Sequence, residues 1–237
     1  MTNEEKIDHG KIDPGRIKAV LFDVDGTLSN TDDQLVARIA RRLKPLAWLF
    51  KDRDPRMFAR RLVMAAETPG NFLYQIADRF GIDKYFAKYY KVLSASRLAK
   101  KPSKDRFWLI PGVREMLEAL SQAYPMGVVS ARDEGSTREF LDHFELTSFF
   151  DVVVTSQTCR FTKPYPDPVI YAAKALGKAP VDCVMVGDTI VDVKSGKSAG
   201  AQTIAVLCGF GMEKELARVG ADLILPTTPD IQSYLSS

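Results

Sequence analysis

Two rhythms of apolar residues divide this chain. At residues 18–23, and again after Pro102, short apolar runs alternate with segments of helical period. The runs are Ala19-Val20-Leu21-Phe22, Met126-Gly127-Val128-Val129, Val152-Val153-Val154, Cys183-Val184-Met185-Val186, Thr203-Ile204-Ala205-Val206 and Leu223-Ile224-Leu225. Strands apolar on both faces that alternate with helices predict a parallel sheet covered on each side. The helices are predicted over about 112–123, 134–143, 168–176 and 190–199.

Between about 33 and 100 the period changes. Leu35, Ile39, Leu43 and Leu46 recur at three- and four-residue spacing, as do Phe58, Leu62 and Ala65. Asp54-Pro55 fits a helix start, and Pro69-Gly70 and Gly81 break the pattern. About four helices with no intervening strand are predicted here. The fold class is therefore α/β: a Rossmann-like parallel sheet core with helices on both faces, plus an inserted small all-helical domain. The expected bounds are 1–30 and 109–237 for the core and 31–108 for the insertion, which follows the first strand.

Composition narrows the class. A chain of 237 residues accommodates one large domain or a core with a smaller one. Shares of 46% hydrophobic and 27% charged residues are those of a soluble globular protein. Cys159, Cys183 and Cys208 are odd in number and form no C-x-x-C. Without a signal-like N-terminus they read as reduced thiols, which points to the cytoplasm. No apolar run approaches the roughly 20 residues of a membrane span, so no membrane partner is expected. His9 and His143 are the only histidines, which limits histidine-based catalysis and zinc chemistry.

The net charge of +3 conceals an asymmetry. Residues 31–108 hold 18 Lys and Arg against 8 Asp and Glu, a balance of +10, while the remainder stands at −7. Solvated helix faces carry many such charges. A sharper reading is a positive lid that draws anionic substrates toward an acidic core.

The chemistry gathers at strand ends, where open parallel sheets form their sites. Asp23-Val24-Asp25-Gly26-Thr27 follows the first strand, Ser130 the second, and Gly187-Asp188-Thr189-Ile190-Val191-Asp192 a later one, with Lys163-Pro164 in the loop between. Two buried carboxylates this close together are costly unless a cation is near. Carboxylates, a hydroxyl and an ammonium at one sheet end suit a hard cation such as Mg²⁺ beside a phosphoryl group. Asp23 can attack phosphorus to form an aspartyl-phosphate. Mg²⁺ and Lys163 would offset the repulsion between that carboxylate and an anionic substrate, Ser130 can hydrogen-bond a phosphoryl oxygen, and Asp25 can protonate the leaving oxygen and then deprotonate the attacking water.

D-x-D-G-T, a strand-ending Ser, Lys-Pro and G-D-x-x-x-D, in that order, resemble the four motifs of the haloacid dehalogenase superfamily. The likeness spans the core, and the insertion matches the position and type of that family's small helical cap. The resemblance implies Asp23 as nucleophile, Asp25 as acid and base, Ser130 and Lys163 as phosphoryl binders, and Asp188 as a direct metal ligand. It also implies metal binding by the Asp25 backbone carbonyl and, through water, by Asp192. An Asp at position 25 favours phosphate-ester chemistry over dehalogenation. The stretch from Gly187 to Gly209-Phe210-Gly211 looks most like the phosphoglycolate phosphatase group. Arg132, and Arg60 and Arg61 of the insertion, are candidates to touch substrate.

The reading that results is a Mg²⁺-dependent phosphatase of a small phosphorylated metabolite, acting as a monomer or a homodimer. A phosphomutase or an inorganic pyrophosphatase on the same scaffold is the alternative. No histidine lies between residues 10 and 142, which counts against a mutase of the type that uses a His–Lys pair in its cap. The basic insertion carries no recognised nucleic-acid-binding motif, which counts against a nucleic-acid partner. Gly196-Lys197-Ser198-Ala199-Gly200 fits G-x-S-x-G, but it falls inside a predicted helix and no histidine follows it.

Overall fold

Each apolar run of the sequence forms a strand in the computed structural model, which describes residues 12–30, 39–49, 55 and 107–235. The strands are β1 (Ala19–Phe22), β2 (Met126–Val129), β3 (Val152–Val154), β4 (Cys183–Gly187), β5 (Gln202–Val206) and β6 (Leu223–Leu225). Their order in the sheet is β3-β2-β1-β4-β5-β6, and every neighbouring pair is parallel. The chain thus builds outward from β1 to β3 on one side, then crosses back to place β4 on the other. The order reverses between β1 and β4. A crevice forms at such a switch point, because the flanking connections leave toward opposite faces.

Alternation along β1 assigns its side chains to two cores. Val20 and Phe22 join the larger cluster with Val113, Met116, Leu117, Phe140 and Leu141. Ala19 and Leu21 join the other with Met185, Val169, Ala172 and Ala173. All four β1 residues are fully buried, so no face of this strand meets water. Helices α1 (Val113–Leu120) and α2 (Glu134–His143) supply the first face. Helices α3 (Asp167–Ala175) and α4 (Ile190–Ala199) pack side by side on the second. This is a doubly wound α/β core.

Helix ends follow local chemistry. The Asp133 carboxylate accepts from Ser136 N–H at 3.0 Å and caps α2. Gly200, at φ 84°, terminates α4. The first helix is shorter than the 112–123 expected, because the chain turns after Leu120 to enter β2. Two short helices escaped the sequence pattern, α5 (Glu213–Arg218) and α6 (Gln232–Leu235). One or two turns give a period of 3.6 too few repeats to be read.

The chain separates into two compact units, Met1–Asp32 with Phe107–Ser237, and Asp33–Arg106. The core leaves toward the second unit and returns from it side by side. Ser29 bridges Leu109 in antiparallel fashion, Asn30 N–H donates to Trp108 O at 2.7 Å, and Ile110 N–H to Leu28 O at 3.0 Å. In the second unit residues 39–43 are helical and Lys44–Leu49 forms a 3₁₀ helix. Leu35, Phe58, Leu62, Ala65 and the breaks at Pro69-Gly70 and Gly81 lie outside the described residues. No helix among the described residues is long and apolar enough to cross a membrane.

Candidate active site

β1 delivers Asp23 to the switch point. The Asp23 N–H donates to Val186 O of β4 at 2.9 Å, continuing the ladder by one residue. The chain then turns sharply, with Leu28 N–H and Ser29 N–H both donating to Val24 O at 2.9 and 2.8 Å and Gly26 at φ 74°. The two acids of the motif meet different partners as a result. Asp23 faces Lys163, and Asp25 faces Arg132.

The loop after β3 carries Lys163, whose peptide bond to Pro164 is cis. Its ammonium lies 2.7 Å from Asp23 Oδ1 and 2.6 Å from Asp192 Oδ1, and the side chain is 3% exposed. Asp192 is in the first turn of α4. Thr189 is the cap of that helix, and its N–H donates to Asp192 Oδ2 at 3.0 Å while its hydroxyl donates to the same oxygen. One Asp192 oxygen is thus fixed by the helix start and the other is presented to Lys163.

Asp188 follows β4 and is fully buried. Its Oδ2 accepts from Phe210 N–H at 2.7 Å. A Cβ built on Gly26 or Gly209 would collide with this carboxylate, and one on Gly211 with the Asp188 carbonyl. The glycines that stood out in the sequence therefore have a steric reason. They let two backbone segments, the turn at Gly26 and the loop at Gly209–Gly211, close around one acid.

Asp23, Asp188 and Asp192 are all buried, and one oxygen from each lies within 4.8 Å of the others. Three carboxylates against one ammonium leave two negative charges in excess. Burial pushes the Asp23 carboxyl up to about 7, and the neighbouring Asp192 and Asp25 charges add to the shift that Lys163 opposes. Burial works against the Lys163 ammonium, yet Asp192 and Asp23 hold its pKa above the ordinary lysine value. An uncompensated cluster of hard oxygen donors is what a divalent cation such as Mg²⁺ requires, so these residues fit one.

Ser130 follows β2, and its N–H donates to Val154 O at 2.8 Å. Its hydroxyl oxygen accepts from Arg132 N–H at 3.1 Å, which leaves the hydroxyl proton to donate elsewhere. The Asp25 carboxylate is bound by Arg132 on both oxygens, Nε to Oδ2 at 2.6 Å and Nη2 to Oδ1. Asp25 is not among the clustered carboxylates. Arg60 and Arg61 lie outside the described residues.

Two features of the site have different visibility in sequence. Thr189 and Asp192 make a T-x-x-D capping pattern that a reader could have marked. The Arg132–Asp25 pair spans 107 residues of sequence separation and carries no local signal.

The fold and the site define an α/β enzyme whose acids gather at the switch point of a parallel sheet. Residues 20–206 match the family model described as haloacid dehalogenase-like hydrolase. The chain belongs to that family and is a hydrolase of it. Over 195 residues it is 28% identical to a phosphoglycolate phosphatase of Aquifex aeolicus, covering 82% of this chain and 86% of that protein. It is also 28% identical over 226 residues to the pyrophosphatase PpaX of Bacillus cereus, covering 93% and 97% respectively. A solved haloacid dehalogenase-like family hydrolase from Streptococcus pneumoniae shares the fold at TM-score 0.63 and 22% identity, covering 93% of this chain and 99% of that one.

Proposed function

We propose that this chain is a Mg²⁺-dependent phosphatase that hydrolyses a small phosphorylated metabolite through an aspartyl-phosphate on Asp23. One observation carries the reading. A buried, Lys163-bound Asp23 sits in a carboxylate cluster, while a second acid two residues on is held apart from it.

The residues divide the work. Asp23 Oδ attacks phosphorus as the bond to the ester oxygen breaks, and Lys163 and the Ser130 hydroxyl hold the phosphoryl oxygens. Asp25 gives its proton to the departing oxygen. Water then attacks the aspartyl-phosphate, Asp25 takes the proton, and inorganic phosphate and free Asp23 result. Asp23 and Asp188, with the Asp25 carbonyl and with Asp192 acting through water, would hold a Mg²⁺ that offsets the charge of the substrate and the cluster. The substrate class is a phosphoglycolate-like or sugar phosphate ester, in line with the phosphoglycolate phosphatase relative. The PpaX relative supports inorganic pyrophosphate as a second reading. The core of residues 1–30 and 109–237 acts as the catalytic domain, 31–108 as its cap, and three free thiols accord with a cytoplasmic enzyme.

The test is a panel of p-nitrophenyl phosphate, phosphoglycolate, sugar phosphates and pyrophosphate, each with and without Mg²⁺. Wild type should turn over at least one ester only with the cation, and Asp23→Asn should lose that turnover. Turnover that survives in Asp23→Asn would sink the proposal, and turnover confined to pyrophosphate would favour the second reading.

A further inference from the structure

Arg132 joins more of the site than any single role at the substrate would need. Its guanidinium holds both Asp25 oxygens, its N–H holds the Ser130 hydroxyl at 3.1 Å, and its carbonyl accepts from Ser156 N–H at 2.9 Å. The guanidinium carbon lies 5.5 Å from the Phe107 ring centroid and 5.6 Å from that of Phe140. The two rings meet edge to face at 5.8 Å. A planar fork stacked on aromatic faces has few other orientations to adopt. The arginine side chain is 14% exposed against 30% for Asp25, so the anchor is the more enclosed partner.

A bidentate clamp uses both carboxylate oxygens as acceptors. An Asp25 that still holds its proton has one oxygen that donates, and it cannot fill the fork. The clamp therefore fits Asp25 in its carboxylate form, the form that acts as base in the second half of the reaction. We infer that Arg132 is a positioning residue for the second half of the reaction. It captures the Asp25 carboxylate formed in the first half and aims it at the water that attacks the aspartyl-phosphate. When that water gives its proton to Asp25, the hydroxide bonds to phosphorus, the phosphorus–Asp23 bond breaks, and the clamp opens on a neutral acid. This inference rests on the phosphatase reading above.

The prediction separates the two half-reactions. In Arg132→Ala, phosphoryl transfer to Asp23 should persist while hydrolysis of the aspartyl-phosphate slows. With p-nitrophenyl phosphate and Mg²⁺, kcat should fall at least about tenfold and KM should fall with it, leaving kcat/KM within about threefold of wild type. Acid-quenched reactions with the radiolabelled ester should show phosphorylated protein accumulating in the variant well above the wild-type level. Guanidinium added to the buffer should restore part of kcat. Arg132→Lys keeps the charge and stem but loses the fork, so it should shift in the same direction, and it carries the test if Arg132→Ala does not fold. If kcat and kcat/KM fall together without phosphorylated protein, or if neither changes, the positioning inference is wrong while the phosphatase reading stands. If wild type turns over no ester, or Asp23→Asn retains turnover, both fail together.

Discussion

The Lys163 ammonium lies 2.6 Å from Asp192 Oδ1, no farther than from Asp23 at 2.7 Å. One lysine is thus shared between Asp23 and an acid already fixed by the start of a helix. Sharing couples the position of Asp23 to the geometry of α4. Lys163→Met would leave buried carboxylates facing one another without their ammonium. Removing one partner of a buried pair costs roughly 3–5 kcal/mol. Urea denaturation of the cation-free protein should show a loss of that order, and turnover should fall by about 10²-fold or more. Unchanged stability would mean that the cluster is protonated or hydrated rather than held by Lys163.

Burial pushes the Asp23 carboxyl up to about 7 from its ordinary 3.8. The native protein binds this proton more tightly than the unfolded chain does. The stability it contributes is fully present below about 3.8 and is lost as the pH rises through about 7. Asp23→Asn carries no charge at the same place. In the presence of a chelator, the melting temperature of Asp23→Asn minus that of wild type should therefore grow as the pH is raised from about 5 to about 8. Mg²⁺ should shrink the gap. A gap independent of pH would show that Asp23 does not titrate in this window.

Asp188→Asn keeps an oxygen that can accept from Phe210 N–H but removes a charge from the cluster. Mg²⁺ affinity measured by titration calorimetry should drop at least about tenfold, with little change in the melting temperature of the cation-free protein. An unaltered affinity would place the cation elsewhere.

Two glycine substitutions separate sterics from backbone strain. Gly209→Ala would drive a Cβ into the Asp188 carboxylate, whereas Gly177, at φ 67°, has nothing within 4 Å of where a Cβ would lie. Gly177→Ala should cost only the left-handed backbone penalty, roughly 1–2 kcal/mol, with activity intact. Gly209→Ala should lose most activity and Mg²⁺ affinity. Equal effects of the two on activity would undercut the view that these glycines exist to seat Asp188.

Much of the core was legible because its strands are short and apolar on both faces. Val20 and Phe22 pack one way and Ala19 and Leu21 the other, so a run with no polar alternation was the correct signal for a central strand. The ends of those runs likewise mark Asp23, Ser130 and Asp188 in the sequence itself. The misleading pattern was G-x-S-x-G at 196–200, which sits in α4, where Gly196 lets the helix close on Thr203 and Met185. Ser198 is exposed there, and Ser198→Ala should leave turnover unchanged in the same assays. Pairings set by tertiary approach, such as Arg132 with Asp25, left no trace in local spacing.

A single antiparallel bridge with its flanking hydrogen bonds closes the neck where the chain leaves for residues 31–106 and returns. Because Leu28 to Asn30 is hydrogen-bonded to Trp108 to Ile110, the sheet perceives the intervening segment only as a loop of some length closed at a fixed neck. Loop length enters stability logarithmically, at about 0.6 kcal/mol per doubling. Insertions, deletions or wholesale exchange within that segment should therefore leave the register of β1 against β2 and β4 untouched. The neck thus confines a change of length between residues 31 and 106 to that stretch of the chain, whereas an added residue within β1 would move Asp23 off the switch point.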